Sequence, residues 1–383
     1  MTYLVVGSGR MGKAVTYDLI NHQKADKVIL GDLNLSNSLA VQKEIGSSNI
    51  HPVEVDVTKI QDLVSLMDGV DCVISSVVYQ FNYFVAKAAV EAAVHYCDLG
   101  QNVQVVDKAF GLDVLAKEKE ITLIPDGGLA PGMVNIIASH GIKHFDEVDE
   151  VQLRVGGLPQ YPTPPLNYNI TWSVHGLINE YIEKARILRD YKIVDVDSLT
   201  EFETLTFPPP FNRMEAFVTS GGTSTLPLTY EGKIRELNYK TIRYLNHGQI
   251  MKALIDLGFT DESKMMVDGQ EVIPRDLFET LLKARFKQRT EDVVLLKVIV
   301  TGKKNGQAVE EAYEVIDYYN KDQEMTALMR TTGFSLAITA GMIAEGKIQK
   351  HGVLTQEESI PTDLYIEKLA ERGIKVEFKE KIK

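Results

Sequence analysis

The sequence predicts an α/β fold in which a doubly wound parallel sheet is followed by a second, α+β domain with a mostly antiparallel sheet. Two observations predict it. Short apolar runs alternate with helical patterns from residue 1 to about 125, which is typical of a parallel sheet with helices on both faces. After residue 148 the apolar runs become longer and several alternate with polar residues, as antiparallel strands do. We therefore expect a first domain over residues 1–128 and a second over 129–330.

A glycine-rich loop lies between the first predicted strand and the first predicted helix. Residues 7–12 read Gly-Ser-Gly-Arg-Met-Gly. Gly7 permits a tight turn, Gly9 lets the backbone approach a pyrophosphate, and Gly12 lets the helix pack closely on the strand. The helix N-terminus adds free N–H groups for phosphates. A second strand ends at Asp32, so all parts of a Rossmann-type dinucleotide-binding unit occur in register.

Asp32 favours NAD over NADP as the cofactor. A carboxylate accepts hydrogen bonds from the hydroxyls of the adenosine ribose and repels a 2′-phosphate. The next residues, Leu33-Asn34-Leu35, bring no arginine that would offset this repulsion. Arg10 and Lys13 lie nearby in the sequence, so NADP stays a possible cofactor.

Each predicted strand of the first domain is followed by residues that can reach a ligand, because ligands of doubly wound sheets bind at the carboxyl ends of the strands. The strands are predicted at 2–6, 27–31, 51–55, 70–74, 94–98 and 121–124, and the helices at 11–21, 36–45, 59–67, 82–92 and 103–119. Asp56 follows the third strand and either caps the next helix or contacts the adenine end of the cofactor. Ser75 and Ser76 follow the fourth strand and are expected to cross the cofactor with their backbone. The expected cofactor-binding residues are Gly7, Gly9, Arg10, Met11, Gly12, Asp32, Asp56, Ser75 and Ser76.

The second domain is predicted from longer strand-like runs and three helical stretches. The strands are predicted at 150–155, 191–196, 215–219, 236–243, 292–301 and 308–318, and the helices at 173–185, 246–257 and 275–287. Residues 332–346 carry apolar and small side chains at helical spacing, which predicts a closely packed helix.

Composition excludes several classes of function. The net charge of −12 gives no electrostatic footprint for nucleic acid or an anionic membrane. No apolar run is expected to approach the roughly 18 residues of a membrane span, and because the first predicted strand begins at residue 2 we expect no signal peptide. The two cysteines, Cys72 and Cys97, imply no disulfide framework and are expected to be buried thiols. No histidine or cysteine spacing suggests a metal site, and we expect a cytoplasmic protein.

Five short motifs resemble those of the saccharopine dehydrogenase-like family. They are Gly-Leu-Ala-Pro-Gly at 128–132, Val-Gly-Gly-Leu-Pro at 155–159, Ile-Thr-Trp-Ser-Val-His-Gly-Leu-Ile-Asn-Glu-Tyr at 170–181, Thr-Ile-Arg-Tyr at 241–244 and Thr-Thr-Gly-Phe at 331–334. The resemblance covers almost the whole chain. Within the family the chain is most similar to the L-lysine 6-dehydrogenases.

The resemblance implies an enzyme that oxidises a CH–NH2 or CH–NH group. The expected reaction is NAD-dependent oxidative deamination of the ε-amino group of L-lysine to 2-aminoadipate 6-semialdehyde, which cyclises to piperideine-6-carboxylate. The resemblance also implies that residues 331–383 return to the first domain. We expect a homodimer or homotetramer that acts on a small amino-acid substrate. The alternatives are a saccharopine dehydrogenase or reductase, a carboxynorspermidine-type reductase that uses NADPH, or a non-catalytic NAD-binding protein.

The resemblance assigns a substrate site residue by residue. By position, Gly156, Gly157, Trp172 and Ser173 line the substrate cleft, and Arg243 binds a carboxylate. A guanidinium at a strand end can indeed grip an α-carboxylate through two parallel hydrogen bonds, although a partly exposed salt bridge is the alternative. Trp172, the only tryptophan, either walls the alkyl chain of the substrate or is a core aromatic.

His247 and Asp126 are the candidate catalytic residues. His247 can act as the general base because the pKa of histidine lies near working pH, and its alternative is a helix N-terminal residue without a catalytic role. Asp126 can orient or deprotonate the amine, or it forms an ordinary turn before Gly127 and Gly128. Glu180 and Tyr181 are expected to serve packing or an interface.

Overall fold

A computed structural model describes residues 1–100, 103–170, 173–286 and 291–383. It divides the chain into two compact units, each assembled from separate stretches of the chain. Unit 1 comprises Met1–His144, Ser224–Leu226 and Met329–Val376. Unit 2 comprises Phe145–Thr223, Pro227–Leu328 and Glu377–Lys383. Both units therefore draw on the C-terminal part of the chain.

Strands and helices alternate regularly in the first part of the chain, and strands dominate the middle. Across the described ranges the strands are β1 (Thr2–Val6), β2 (Lys27–Asp32), β3 (Ile50–Glu54), β4 (Cys72–Ser75), β5 (His95–Asp98), β6 (Thr122–Ile124), β7 (Glu147–Pro159), β8 (Ala185–Arg189), β9 (Lys192–Val196), β10 (Glu203–Thr206), β11 (Arg213–Val218), β12 (Glu236–Arg243), β13 (Met265–Val267), β14 (Gln270–Val272), β15 (Asp292–Lys304), β16 (Gln307–Tyr318), β17 (Gly352–Val353) and β18 (Glu377–Ile382). The helices are α1 (Arg10–Asn21), α2 (Leu35–Ile45), α3 (Ile60–Ser65), α4 (Asn82–Ala92), α5 (Val103–Phe110), α6 (Asp113–Glu118), α7 (Met133–Ile142), α8 (Val174–Ile182), α9 (Leu226–Tyr230), α10 (His247–Asp256), α11 (Pro274–Arg285), α12 (Ala327–Met329), α13 (Ser335–Ala344), α14 (Gln356–Ser359) and α15 (Thr362–Glu371). Single turns of 3-10 and π-helix lie at Tyr79–Phe81 and Arg330–Phe334.

Unit 1 is built on a parallel sheet, as the sequence predicts. Its described strands follow the order β3-β2-β1-β4-β5-β6-β17, and every pairing is parallel. The first six strands have the order of a doubly wound dinucleotide-binding fold, in which the direction of winding reverses between β1 and β4. Val6 pairs with both Gly31 and Ser75, so the loops that follow β1, β2 and β4 emerge at the same edge.

The C-terminal part of the chain packs into unit 1. The π-helical turn lies against α1, where a Cβ atom on Gly333 would stand 2.5 Å from the Cβ of Ala14. Arg372 forms a fully buried ion pair with Asp18 of α1, with 2.8 Å between Nη2 and Oδ1. The prediction that no apolar run approaches the length of a membrane span is wrong for Ala327–Ala344, which is apolar and long enough to cross a membrane, but 83% of it is buried inside the structure, as in a core helix.

Unit 2 contains a mixed sheet in which antiparallel pairing dominates, which confirms the predicted α+β architecture. The described strands follow the order β10-β11-β12-β7-β15-β16-β18, with β8 and β9 branching from β12. Only the pairing of β12 with β7 is parallel among the described strands of this sheet. Helices α8, α10 and α11 pack in one apolar cluster with Phe217 of β11. This packing places α8 and α10 beside the end of β12.

The structure corrects two predicted helices. The helix predicted at 103–119 is divided into α5 and α6, because Gly111 and Leu112 separate them and Gly111 hydrogen-bonds back to Asp107 and Lys108. The helix predicted at 173–185 ends at Ile182, and the chain continues from Ala185 as strand β8.

Candidate functional site

The glycine loop of unit 1 has the geometry of a dinucleotide cradle. Gly7 has φ +93° and lies so close to the next loop that a Cβ atom would stand 2.8 Å from the carbonyl carbon of Ser76. A Cβ atom on Gly12 would stand 1.8 Å from the carbonyl oxygen of Gly7, so only glycine allows α1 to start there. A Cβ atom on Gly9 would meet no other atom within 4 Å, which leaves this face of the loop open to a ligand. The residues present therefore fit a pyrophosphate.

The Asp32 carboxylate is held beside this loop by four hydrogen bonds. Its Oδ2 accepts from the backbone N–H of Ser8 at 2.9 Å and from the Ser8 hydroxyl at 2.8 Å. Its Oδ1 accepts from the N–H of Asn34 and the Nδ2 of Asn37, both at 3.0 Å. Partial burial raises the pKa of Asp32, but the hydrogen bonds from Asn34, Ser8 and Asn37 outweigh it and leave the pKa below its usual value. Asp32 is thus a fixed anion at the edge where β2 ends.

The other predicted cofactor residues lie at the same edge of the sheet. Arg10 and Met11 are the first residues of α1. Ser75 ends β4, and its buried hydroxyl donates to Oδ1 of Asn82 at 2.8 Å, so a contact of its backbone with the cofactor stays a prediction. Asp56 accepts hydrogen bonds from the N–H and the hydroxyl of Thr58 and thereby stabilises the turn before α3. Its contact with the adenine end of the cofactor stays a prediction.

Asp98 ties two loops of this edge together. Its Oδ1 accepts from the N–H groups of Gly100 at 2.6 Å and Asp126 at 3.1 Å, and its Oδ2 accepts from the Tyr96 hydroxyl at 2.6 Å. Burial raises the pKa of Asp98. Asp126 has φ +64°, and its buried carboxylate accepts a hydrogen bond from the hydroxyl of Ser224. The structure therefore holds Asp126 in a fixed position instead of an open turn.

Arg243 is the centre of a polar cluster in unit 2. It ends β12 and is 3% exposed. Its Nε donates to the hydroxyl oxygen of Tyr181 at 2.8 Å, and its Nη1 donates to the carbonyl of Ile242 at 2.9 Å. The guanidinium carbon lies 4.7 Å from the centre of the Tyr168 ring, within cation–π distance.

Arg243 differs from other buried arginines in its charge balance. Within the described ranges no carboxylate lies within 4.0 Å of its guanidinium, although three arginines of similar burial are each paired with one. These pairs are Arg154 with Glu203, Arg275 with Glu262, and Arg372 with Asp18. A buried charge without a counter-ion is costly. The surroundings of Arg243 therefore suit an anionic ligand.

Glu180 and Glu215 are two acidic residues that interact electrostatically with Arg243, and the backbone N–H groups of Asn246 and Gly248 already bind Glu215. Glu180 lies on α8, next to Tyr181, with its side chain partly buried. Burial raises the pKa of Glu180 to about 7, with the Arg243 charge acting in the opposite direction and Glu183 adding to the increase. A cation and an anion in one cluster match the carboxylate and ammonium of an α-amino acid.

The turn between β12 and α10 fixes where Arg243 and His247 lie. Asn246 adopts φ +75°, a left-handed conformation that asparagine tolerates better than most residues. Glu215 accepts hydrogen bonds from the N–H groups of Asn246 at 2.7 Å and Gly248 at 2.6 Å, which satisfies donors at the start of the helix. His247 is therefore the first residue of α10, as predicted.

The pKa of His247 lies below the value near neutral pH that we expected. Its side chain is fully buried, with Nε2 at 2.9 Å from the Tyr181 hydroxyl and Nδ1 at 2.8 Å from the carbonyl oxygen of Leu166. Burial, followed by the charge of Arg243, lowers the pKa of His247 to about 3. The expectation of a pKa near neutral pH is wrong, because it took no account of these two effects.

The remaining predicted substrate residues lie on β7 and at the start of α8. A Cβ atom on Gly156 would stand 2.5 Å from the carbonyl oxygen of Ile242, so Gly156 allows β7 to approach the strand end that bears Arg243. Gly157 follows it on the same strand. Ser173 is the N-cap of α8 and accepts a hydrogen bond from a backbone N–H of its first turn. Trp172 lies outside the described residues.

The cysteines and the described His, Asp and Glu side chains suggest no thiol or metal chemistry at the glycine loop or around Arg243. Cys72 and Cys97 are buried free thiols, as expected. The described part of the chain contains no group of three or more His, Cys, Asp or Glu side chains that could hold a metal ion.

Two family models match this chain. The model described as "Saccharopine dehydrogenase NADP binding domain" matches residues 3–124. The model described as "Saccharopine dehydrogenase C-terminal domain" matches residues 128–374, which is more than half of the chain.

Individual relatives are distant but cover much of the chain. The mitochondrial alpha-aminoadipic semialdehyde synthase of Mus musculus is 24% identical over 313 residues, which are 79% of this chain and 33% of that protein. The saccharopine dehydrogenase (NADP(+), L-glutamate-forming) of Pyricularia oryzae is 26% identical over 298 residues, which are 73% of this chain and 63% of that protein. This chain thus spans about a third to two thirds of the length of these relatives.

One solved structure shows the same fold over its full length. The apo histidine-tagged saccharopine dehydrogenase (L-Glu forming) from Saccharomyces cerevisiae matches with a TM-score of 0.81, covering 99% of each chain at 19% sequence identity.

Proposed function

Because the chain belongs to the saccharopine dehydrogenase family, we propose that it catalyses the NAD-dependent oxidative deamination of L-lysine at the ε-amino group. The product is 2-aminoadipate 6-semialdehyde, which cyclises to piperideine-6-carboxylate, while water supplies the aldehyde oxygen and ammonia leaves. The observation that carries the proposal is the buried guanidinium of Arg243, which has no carboxylate partner within 4.0 Å among the described residues. A substrate carboxylate supplies the missing counter-charge.

Unit 2 is proposed to bind the amino-acid head group of lysine. Arg243 binds the α-carboxylate through its remaining N–H groups, and the Glu180 carboxylate pairs with the α-ammonium. Charge-assisted hydrogen bonds of this kind are roughly twice as strong as neutral ones. Both side chains act on the part of the substrate that does not react, so they serve binding and orientation.

Unit 1 is proposed to bind NAD through the glycine loop and Asp32. When bound, the nicotinamide supplies the acceptor for the hydride that leaves the ε-carbon. Asp126 stays the predicted proton acceptor for the amine. His247 is no longer a candidate for this role, because its two ring nitrogens are already hydrogen-bonded to Tyr181 and Leu166.

The second candidate is a reaction of saccharopine that uses NADP. It is favoured by the name of the relative from Pyricularia oryzae and by the description of the matching N-terminal family model. Against it stands the fixed carboxylate of Asp32, which repels a 2′-phosphate. Substrates of this kind also carry more carboxylates than lysine and need more cationic partners than Arg243 alone.

The proposal is tested by the reduction of NAD in the presence of L-lysine, with saccharopine and NADP as the alternative substrate and cofactor. We expect turnover with L-lysine and NAD, and a slower reaction when NADP replaces NAD. Turnover with saccharopine but not with L-lysine would overturn the lysine proposal and support the second candidate. Binding of NAD without turnover of either amino acid would support a non-catalytic protein.

Glu180 predicts a pH dependence of lysine binding. A carboxyl with a raised pKa is neutral at low pH and gains its charge only as the pH passes about 7. We therefore expect the KM for L-lysine to begin to fall at about pH 6 and to continue falling to about pH 7.5, where the α-ammonium is still mostly protonated. In Glu180→Gln this fall should disappear, and the KM should stay roughly tenfold high, as expected for a lost ionic contact of about 1.4 kcal/mol.

The matched control for Glu180 is Glu183→Gln, which removes a more exposed carboxylate just beyond the same helix. It should keep a fall of the KM with rising pH, moved toward lower pH, because the Glu183 charge adds to the raised pKa of Glu180. A Glu180→Gln variant that kept this pH dependence would show that another group titrates.

A further inference from the structure

We infer that Tyr181 and His247 are positioning residues that preset the Arg243 guanidinium, so that a substrate carboxylate binds only at its Nη1/Nη2 edge. The inference deepens the proposed function and rests on its assignment of Arg243 to a carboxylate. It assigns to Tyr181 and His247 a role in orienting a cation rather than in proton transfer. Their contacts define the direction of every hydrogen bond in the cluster.

The tautomer of His247 follows from its hydrogen bond to Leu166. The carbonyl oxygen of Leu166 can only accept a hydrogen bond, so the Nδ1 atom at 2.8 Å from it must carry the proton. A neutral imidazole has one N–H, which leaves Nε2 as an acceptor. The low pKa of His247, about 3, agrees with a neutral ring at working pH.

The direction of the Tyr181 hydroxyl follows from this tautomer. Because Nε2 of His247 can only accept, the hydroxyl at 2.9 Å must donate its proton to it. The hydroxyl oxygen is then an acceptor for Nε of Arg243, at 2.8 Å. Burial raises the pKa of Tyr181, so the hydroxyl keeps the proton that it donates. The chain of donors and acceptors runs one way, from Arg243 through Tyr181 and His247 to Leu166.

The hydrogen bonds within the cluster determine which N–H groups of Arg243 can bind a ligand. A guanidinium has five N–H donors, and a carboxylate can bind side-on through Nε or end-on through the two Nη atoms. Tyr181 occupies Nε and closes the side-on mode. The Ile242 carbonyl takes one donor of Nη1, and the Tyr168 ring covers one face. Within the part of the chain that the structure describes, Nη2 and the second donor of Nη1 have no hydrogen-bond partner, and they form the end-on edge.

A packing role alone does not account for this arrangement. A buried histidine or tyrosine needs only one partner for each polar atom, and many core residues find it in the backbone. Here the polar atoms of Tyr181 and His247 form one continuous series of hydrogen bonds that ends at the guanidinium of Arg243. The residues at the two ends of it, Leu166 and Arg243, lie 77 positions apart, since the cluster joins three segments of the chain.

The test compares two ligands that need no turnover: L-norleucine, and its amide, which has the same side chain but no carboxylate. Equilibrium titration of the wild-type protein should show that L-norleucine binds at least about tenfold more tightly. This preference should fall about tenfold in Tyr181→Phe and His247→Leu. It should persist in His247→Gln, because the Gln amide can replace the ring as acceptor for Tyr181 and donor to Leu166.

The matched control is Tyr239→Phe, which removes a buried hydroxyl that is hydrogen-bonded at 3.5 Å to Thr241 rather than to Arg243. It should keep the preference of the wild-type protein. In the kinetic assay with L-lysine, Tyr181→Phe and His247→Leu should raise the KM and leave kcat nearly unchanged, a division that general destabilisation does not produce. The ring-nitrogen NMR signals of His247 should show the Nδ1-protonated tautomer whether or not the protein is active.

The outcomes separate the inference from the proposed function. A preference for L-norleucine that is unchanged in Tyr181→Phe and His247→Leu overturns the inference alone, as does an Nε2-protonated His247. A wild-type preference that both variants lower supports the inference even if the protein does not oxidise L-lysine, in which case only the proposed reaction fails. Absence of the preference in the wild-type protein overturns the assignment of Arg243 to a carboxylate, and the inference with it.

Discussion

Replacement of Arg243 by methionine is expected to raise the KM for L-lysine by about 100-fold or more. Methionine keeps much of the length and apolar volume of the side chain but cannot hold the α-carboxylate. Two hydrogen bonds to a charged group contribute about 1.5 kcal/mol or more each, and their loss corresponds to about two orders of magnitude in affinity. Initial rates at increasing lysine concentration give KM and kcat separately. Arg243→Lys, which keeps the charge but not the planar edge, should give an intermediate KM.

The stability of the same variant distinguishes a binding residue from a structural one. Removal of a buried cation that lacks a carboxylate partner should leave the free energy of unfolding almost unchanged. Arg372→Met is the matched control, because it leaves the carboxylate of Asp18 buried and unpaired in unit 1. That variant should lose about 3–5 kcal/mol in denaturant unfolding. A comparable loss in Arg243→Met would contradict the view that its charge is balanced by a ligand.

The elements of unit 1 that could be predicted are those whose pattern is local. The apolar runs β1 to β6 and the helices between them appear as alternation over a few residues each. The strands β17 and β18 could not be predicted in this way. β17 has only the two residues Gly352–Val353, and it exists because β6 offers a parallel edge. β18 is exposed at every residue, so no apolar face marks it, and its partner β16 lies some sixty residues earlier in the chain.

The candidate site shows the same division between local and distant information. The glycine loop and Asp32 lie within one strand–helix–strand unit, so their arrangement can be predicted from spacing. The Arg243 cluster needs side chains from three separate segments. The buried positions Val174, Leu177, Ile178 and Tyr181 have helical spacing, which is a signal that Tyr181 faces the core. The identity of its partners, and hence the low pKa of His247, follows only from the folded chain.

Asp32→Asn is expected to change the cofactor preference of the protein about 100-fold in favour of NADP. Asparagine keeps the shape of the side chain and one acceptor oxygen, but it has no charge. The wild-type carboxylate strengthens hydrogen bonds to the ribose hydroxyls of NAD and repels the 2′-phosphate of NADP. Loss of the first effect lowers kcat/KM for NAD, and loss of the second raises kcat/KM for NADP. The ratio of the two values, measured at saturating L-lysine, is the quantity to compare.

The size of this expected change depends on the rigidity of the carboxylate. Ser8, Asn34 and Asn37 hold both oxygens of Asp32, so the side chain cannot rotate away from a 2′-phosphate as a free aspartate could. Glu54→Gln is the matched control. Glu54 lies opposite Asp32 in the register of β2 and β3, at the same edge of the sheet, but its side chain is exposed. This variant should leave the ratio within about twofold, since exposed charges interact weakly through water. A wild-type protein that uses NADP as well as NAD, with no change of ratio in Asp32→Asn, would show that Asp32 does not determine the cofactor.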